Sequence, residues 1–265
     1  MTRGLATKNW LAISKVMLCM MFMCTANAAN NLDDNAVELS ASAYIPPYVF
    51  KDGHHGIEID IIKHALEKAQ LGPLTLHFLS NRRAEAQLRQ GKISGAINIP
   101  KESGLEGYYS EPLLYFENVA ISLAEHNFNI EQFSDLHGKS ILAFQNAKNY
   151  LGPDYAKAIT KALSYDEVVN QYAQIDHLMK GWVDVIVLEK RIFQYYLHTF
   201  AMNQGQQTKP VTIHALWPPS PRHVVFTDSQ LRERFNQGLA ELKKTPRYKA
   251  LLASAPSYAQ RQSSK

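Results

Sequence analysis

Hydrophobic and polar positions change period several times along the chain, and each change marks an element. Val37-Glu38-Leu39-Ser40-Ala41 alternates with period two, as a half-buried strand does. Pro46 and Pro47 stop that strand, and Asp52-Gly53 with Gly56 marks a turn. From Ile57 the spacing becomes helical: Ile57, Ile61 and Ala65 recur on one face, with Ile62, Leu66 and Ala69 beside them. A second strand is predicted over 74–79, a short helix over 83–90 ending at Gly91, and a third strand over 95–99. The order β-α-β-α-β predicts a mostly parallel sheet covered by helices.

A second unit repeats the alternation. Residues 119–123 and 140–144 read as strands. Ser164-Tyr165-Asp166-Glu167 has the spacing of a capping box and predicts a helix from there to about residue 180. Residues 183–188 form an apolar run after Gly181, as a buried central strand does, with Trp182 expected to pack beside it. A helix over about 190–202 follows, then a polar loop, then strands over 211–216 and 223–226. Thr227-Asp228-Ser229-Gln230 predicts another capping box, opening a helix with Leu231, Phe235, Leu239 and Leu242 on one face. The tail from Ser254 is expected to fray.

The amino terminus changes the charge arithmetic. Arg3, Lys8 and Lys15 precede an apolar run over 16–23 and a small-x-small site at Ala26-Asn27-Ala28, the pattern of a cleaved secretory signal over residues 1–28. That run is far shorter than the ~20 residues a membrane-spanning helix needs, so no membrane insertion of the mature chain is expected. Cleavage would leave 237 of the 265 residues, with 25 Lys and Arg against 24 Asp and Glu. A balance so near neutral excludes nucleic-acid binding driven by bulk charge. Both cysteines, Cys19 and Cys24, fall within the signal, which removes disulfides, thiolate metal sites and a cysteine nucleophile from consideration. His54, His55, His64 and His77 lack the i, i+4 spacing of a helical metal pair, and neither a metal nor a cofactor is expected.

Six segments in order resemble the family 3 bacterial extracellular solute-binding proteins, the periplasmic components of polar amino acid uptake. Tyr44-Ile45-Pro46-Pro47-Tyr48-Val49-Phe50 is similar to the exit of that family's first strand, with residues 56–60 opening its first helix. Leu88-Arg89-Gln90-Gly91-Lys92 is similar to its helix end before strand three, and Tyr109-Ser110-Glu111-Pro112-Leu113 to the stretch before its interlobe crossing. Leu136-His137-Gly138-Lys139-Ser140-Ile141 resembles the opening of its second lobe, and Leu178-Met179-Lys180-Gly181-Trp182-Val183-Asp184 its Leu-x-x-Gly-x-Val-Asp element.

The resemblance implies an α/β, two-lobed periplasmic-binding-protein (Venus flytrap) fold. Each lobe would be a mostly parallel sheet flanked by helices, with two crossing strands as hinge. Residues 29–117 and 217–265 would form the first lobe and 118–216 the second. A ligand would lie between the lobes at the carboxyl ends of strands. Tyr44 and Tyr48 are candidates to stack on it or to wall the core, with Ile45 at the place of the family's usual aromatic. Arg82 and Arg83 suit a carboxylate, or form a solvated surface pair. Asn98 and Lys101 belong to the loop where amino acid binders of the family carry a carboxylate-binding Arg; Ser103 holds that place. Asn146-Ala147-Lys148 replaces a Gly-Thr-Thr or Gly-Thr-Ser loop, where a helix N-terminus and Lys148 would favour an anion. Glu189 stands where the family has its ammonium-binding acid, with an ion pair to Lys190 or Arg191 as the alternative.

The expected function is periplasmic capture of a small polar, amine-bearing ligand by hinge closure of a monomer, feeding an inner-membrane ABC permease. Two other classes stay open. One is a dehydratase of the cyclohexadienyl dehydratase type, with Glu189 or Glu102 as the acid. The other is a ligand-sensing protein without a transporter.

Overall fold

The computed structural model describes residues 36–204 and 208–263; the expected signal over 1–28 lies outside them. The first half runs β1 (Val37–Ala41), α1 (Ile57–Lys68), β2 (Leu74–Phe78), α2 (Asn81–Arg89), β3 (Gly95–Ile99), β4 (Tyr108–Tyr109), β5 (Leu114–Phe116), β6 (Asn118–Leu123) and β7 (Ser140–Phe144). Then come α3 (Ala147–Tyr150), α4 (Pro153–Ala158), β8 (Ser164–Val168), α5 (Gln171–Met179), β9 (Val185–Glu189) and α6 (Lys190–Gln204). The chain ends in β10 (Val211–His214), β11 (Ser220–Phe226), α7 (Ser229–Lys243), α8 (Pro246–Leu252) and α9 (Ala255–Ser263).

Two sheets result, in the order β2-β1-β3-β11-β4 and β10-β6-β9-β7-β8, with β5 added beside β11. Both share one plan. Three parallel strands (β2, β1, β3 and β8, β7, β9) are closed by an antiparallel strand, β11 in the first sheet and β6 in the second. The chain passes between sheets twice, from β5 to β6 and from β10 to β11. The two passages lie side by side, because Ser220 pairs with Phe116 and Arg222 with Leu114.

The first two turns of α1 are buried nearly all round: Ile57, Ile59, Ile61 and Ile62 are fully buried, and Glu58 with them. A helix of that kind must be covered on both sides. The sheet covers one side and α7 the other, where a Cβ on Gly238 would sit 2.1 Å from the Ala65 carbonyl. Each buried isoleucine stabilises the fold by roughly 1.5–3 kcal/mol. No side chain caps α1. Its first N–H groups donate to the loop before it, Ile57 to the Pro47 carbonyl at 2.8 Å and Glu58 to that of Tyr48 at 3.1 Å. Gly56 permits this close approach, since at φ 132° a Cβ would lie 2.2 Å from the Tyr48 oxygen.

Four expectations need correcting. Ser164-Tyr165-Asp166-Glu167 is not a capping box but strand β8, paired in register with β7; its period-two exposure overrides the local cap signal. The helix after it starts six residues on, where the Asn170 side chain accepts the Tyr172 N–H at 3.1 Å. The cap of α7 is Asp228, not Thr227, accepting from Leu231 N–H at 2.6 Å. The tail does not fray at Ser254: α9 buries Ala255, Tyr258 and Ala259 and packs on α6 of the second sheet. Trp182 does not pack into a core either. It stands 62% exposed with the Lys180 ammonium 4.5 Å above its ring.

Candidate functional site

The carboxyl ends of β1 and β9 face each other across the passage between sheets, and the loops that follow them touch. Tyr48, from the loop after β1, is fully buried, with its ring 4.5 Å from that of Phe116 on the crossing strand. Its hydroxyl accepts a 3.5 Å bond from Arg191 at the start of α6. Glu189, the last residue of β9, caps that helix: it accepts N–H bonds from Arg191 (2.8 Å), Ile192 (3.0 Å) and Glu117 (3.2 Å). The Arg191 guanidinium adds an ion pair at 3.7 Å.

Burial alone pushes the Glu189 carboxyl upward, because a carboxylate loses its hydration there. The Tyr48 hydroxyl, the helix N–H groups and Arg191 offset much of that penalty. Arg191 is correspondingly committed. Besides Tyr48 and Glu189 it donates to the Tyr115 carbonyl (3.2 Å) and the Leu252 carbonyl (3.0 Å), and its other edge lies 3.8 Å from Glu117. Lys190 pairs with Glu117 at 2.9 Å. Glu189 is therefore 2% exposed and engaged within the protein, in the ion pair with Arg191 that stood as the alternative to ligand binding.

Next to this network an aromatic cluster bridges the sheets. Phe50 from the first contacts Tyr195 of α6 (5.8 Å) and Tyr258 of α9 (5.5 Å), while the Tyr258 hydroxyl is bonded to Asp60 of α1. Tyr44 stands 58% exposed on the same loop as Tyr48, and the Tyr196 phenol of α6 is raised chiefly by burial, with Tyr195 and then Tyr44 adding to it.

The other expected residues lie apart from Glu189. Arg82 and Arg83 are exposed in the first turn of α2. Lys101 is exposed in a 3-10 turn, and the Ser103 hydroxyl lies 3.1 Å from that of Tyr109, closing its own loop. Asn98 occupies the left-handed region at φ 59°, in an irregularity where β3 carries one residue more than β11. Its N–H faces the carboxyl of Glu58. Asn146 and Lys148 share one loop, but the N-terminus they were expected to offer an anion is filled from within. The Glu167 carboxylate accepts Asn146 N–H at 2.6 Å and Lys148 N–H at 2.9 Å, and the Tyr165 hydroxyl at 2.7 Å. Burial would raise the Glu167 carboxyl; those donors and the Lys148 charge outweigh it and hold it below its ordinary value.

Three residues at this interface were not anticipated. Glu58 is fully buried in the first turn of α1, and neither carboxyl oxygen accepts a hydrogen bond of ordinary geometry. Burial pushes it up to about 8, with the Arg222 charge and the Asn98 N–H pulling the other way. Arg222 lies 4.5 Å over the Phe116 ring. Arg191 was considered only as a partner for Glu189. The available signal was an acid inside an otherwise apolar helical turn, Ile57-Glu58-Ile59.

No family model matches the chain, and no curated protein matches it. Solved structures do. The amino acid ABC transporter substrate-binding protein AbpA from Streptococcus pneumoniae, bound to L-arginine, aligns with TM-score 0.59 and 17% identity, over 84% of this chain and 95% of that one. A histidine kinase sensor domain with similarity to periplasmic binding proteins aligns with TM-score 0.61 and 15% identity, over 84% and 96%. The ancestral amino acid-binding protein AncCDT-1, a precursor of cyclohexadienyl dehydratase, aligns with TM-score 0.59 and 17% identity, over 83% and 94%.

The chain has the periplasmic-binding-protein fold. That likeness, at these identities, carries the fold and not a ligand. In a periplasmic-binding-protein frame the two sheets are the lobes, and β5 to β6 and β10 to β11 are the paired crossings. Tyr48 and Glu189 meet between the lobes, whereas Arg82, Arg83 and Lys101 reach no other expected site residue.

Among the described residues no helix is long and apolar enough to cross a membrane, and no group of three or more His, Cys, Asp or Glu side chains is placed to hold a metal ion.

Proposed function

We propose that this protein is a solute-binding protein that captures a small polar, amine-bearing ligand between its lobes, on the periplasmic side of the inner membrane, and passes it to an ABC permease. The observation that carries this reading is the concentration of charge where the lobes meet. Glu117, Glu189, Lys190, Arg191 and Arg222 surround the crossing strands. Charged groups gathered at the carboxyl ends of strands, beside two adjacent crossings, suit reversible closure on a polar molecule. Capture and release need no bond to be made or broken.

The test is thermal unfolding of the purified chain against amino acids, short peptides, polyamines, dicarboxylates and prephenate. A member at 100 times its dissociation constant should stabilise the fold by about 2.7 kcal/mol, saturably. Selective stabilisation without chemical change supports binding. Turnover of prephenate overturns it in favour of a dehydratase, and silence across the panel removes support for ligand capture.

A further inference from the structure

The helices that end the described chain join the lobes a third time. α7 and α8 pack on α1, so the segment after β11 belongs to the first lobe. α9 follows them, yet its main packing partner is α6, the helix that leaves the end of β9 in the second lobe. On the first-lobe side the Tyr258 hydroxyl of α9 is bonded to Asp60 of α1. The Tyr258 ring lies 5.5 Å from that of Phe50 and 6.3 Å from that of His55, with an angle of 21° to the latter. On the second-lobe side Tyr195 of α6 meets Phe50 edge-on at 5.8 Å, and Arg191 in the first turn of α6 donates to the Leu252 carbonyl at the end of α8 (3.0 Å).

The contact is buried and apolar. Ala255, Tyr258 and Ala259 of α9 share one hydrophobic cluster with Phe193, Tyr195 and Phe200 of α6 and with Ile57, Ile61 and Leu66 of α1, so a single core runs from lobe to lobe. Domains that swing freely meet through small, polar interfaces, whereas a buried apolar one resists their separation. Pulling α6 from α9 would return that surface to water, and two crossing strands alone would not oppose the movement in this way. We propose that α9 is a clasp between the lobes: anchored to the first through Tyr258 and Asp60 and packed on α6 of the second, it holds the angle at which the cleft stands. Because α6 begins beside Glu189, the clasp acts on the helix that carries the second lobe's part of the polar network. This role does not depend on which ligand the cleft takes, or on whether it takes one.

The test is the distance between the lobes, read by double electron–electron resonance on the full chain with Cys19→Ser and Cys24→Ser. Nitroxides go on Lys92→Cys and Lys161→Cys, exposed positions just before β3 and β8. The parent protein should give one narrow distance. Tyr258→Phe keeps the ring and removes the bond to Asp60, and should broaden the distribution. Ala259→Leu overfills a buried position on α9 and should broaden or displace it further. Glu167→Gln disturbs the second lobe outside the clasp and should leave the distance as it was. Far-UV circular dichroism establishes that each variant is folded; if Ala259→Leu is not, Tyr258→Phe decides. An unchanged distribution in the folded clasp variants overturns the proposal, and so does a parent protein that already shows several distances. Equal broadening by Glu167→Gln would assign the effect to general loosening and overturn it as well. Silence of the thermal panel with a clasp that responds would sink solute binding and leave the clasp standing.

Discussion

Glu58 makes a prediction about stability that can be worked from its burial. Its carboxyl is fully buried, and its native-state value lies at about 8 against an ordinary 4.5. Between those values the native protein holds a proton that the unfolded chain has released, so stability falls as pH rises. Each pH unit in that window costs about 1.4 kcal/mol, and the whole window about 5 kcal/mol. Below 4.5 both states are protonated and above 8 both are ionised, so the slope vanishes at either end. Glu58→Gln keeps the shape of the protonated acid and removes the titration. Urea unfolding followed by tryptophan fluorescence at pH 5.5 and 7.5 should show the native chain losing roughly 3 kcal/mol more than the variant, about 1 M in midpoint. Other groups titrate in both proteins, so the difference isolates Glu58. Parallel pH curves would mean that the carboxyl is solvated or bonded in solution, and the burial argument would fail.

Gly238→Ala puts a Cβ 2.1 Å from the Ala65 carbonyl and 2.8 Å from the Ala69 nitrogen, so α1 and α7 must part. Calorimetry should find the melting temperature lower by about 4–10 °C, from an overpacking cost of ~1–3 kcal/mol. Tyr48→Phe keeps the contact with Phe116 but deprives Arg191 and Glu189 of the hydroxyl. The urea midpoint should report a loss of roughly 1–3 kcal/mol, and an unchanged midpoint would remove the polar contact between lobes from the account. Glu167→Gln weakens the bonds to Asn146, Lys148 and Tyr165. Because the Glu167 carboxyl is held below its ordinary value, the native advantage is present at neutral pH and lost on acidification below about 4.5; a deficit that persists unchanged at pH 3 would contradict this.

The strands and amphipathic helices were largely legible, because their periodicity reports burial directly. Residues 37–41, 95–99 and 140–144 form strands as alternation or apolar runs predicted, and α7 buries Phe235, Leu239 and Leu242 as its spacing required. Signals resting on a single spacing were less secure. Ser164 to Glu167 meets the pattern of a helix cap, yet pairing with β7 wins, because the edge of a sheet offers those residues backbone partners that a helix start cannot match. The candidate site was legible only in outline. Tyr48 and Glu189 do meet, but each turns inward to Arg191, a relation set by packing across more than a hundred residues. Glu58 stands in the sequence between Ile57 and Ile59, and only the closeness of α7, the sheet and Tyr48 shows that its carboxyl is buried with them.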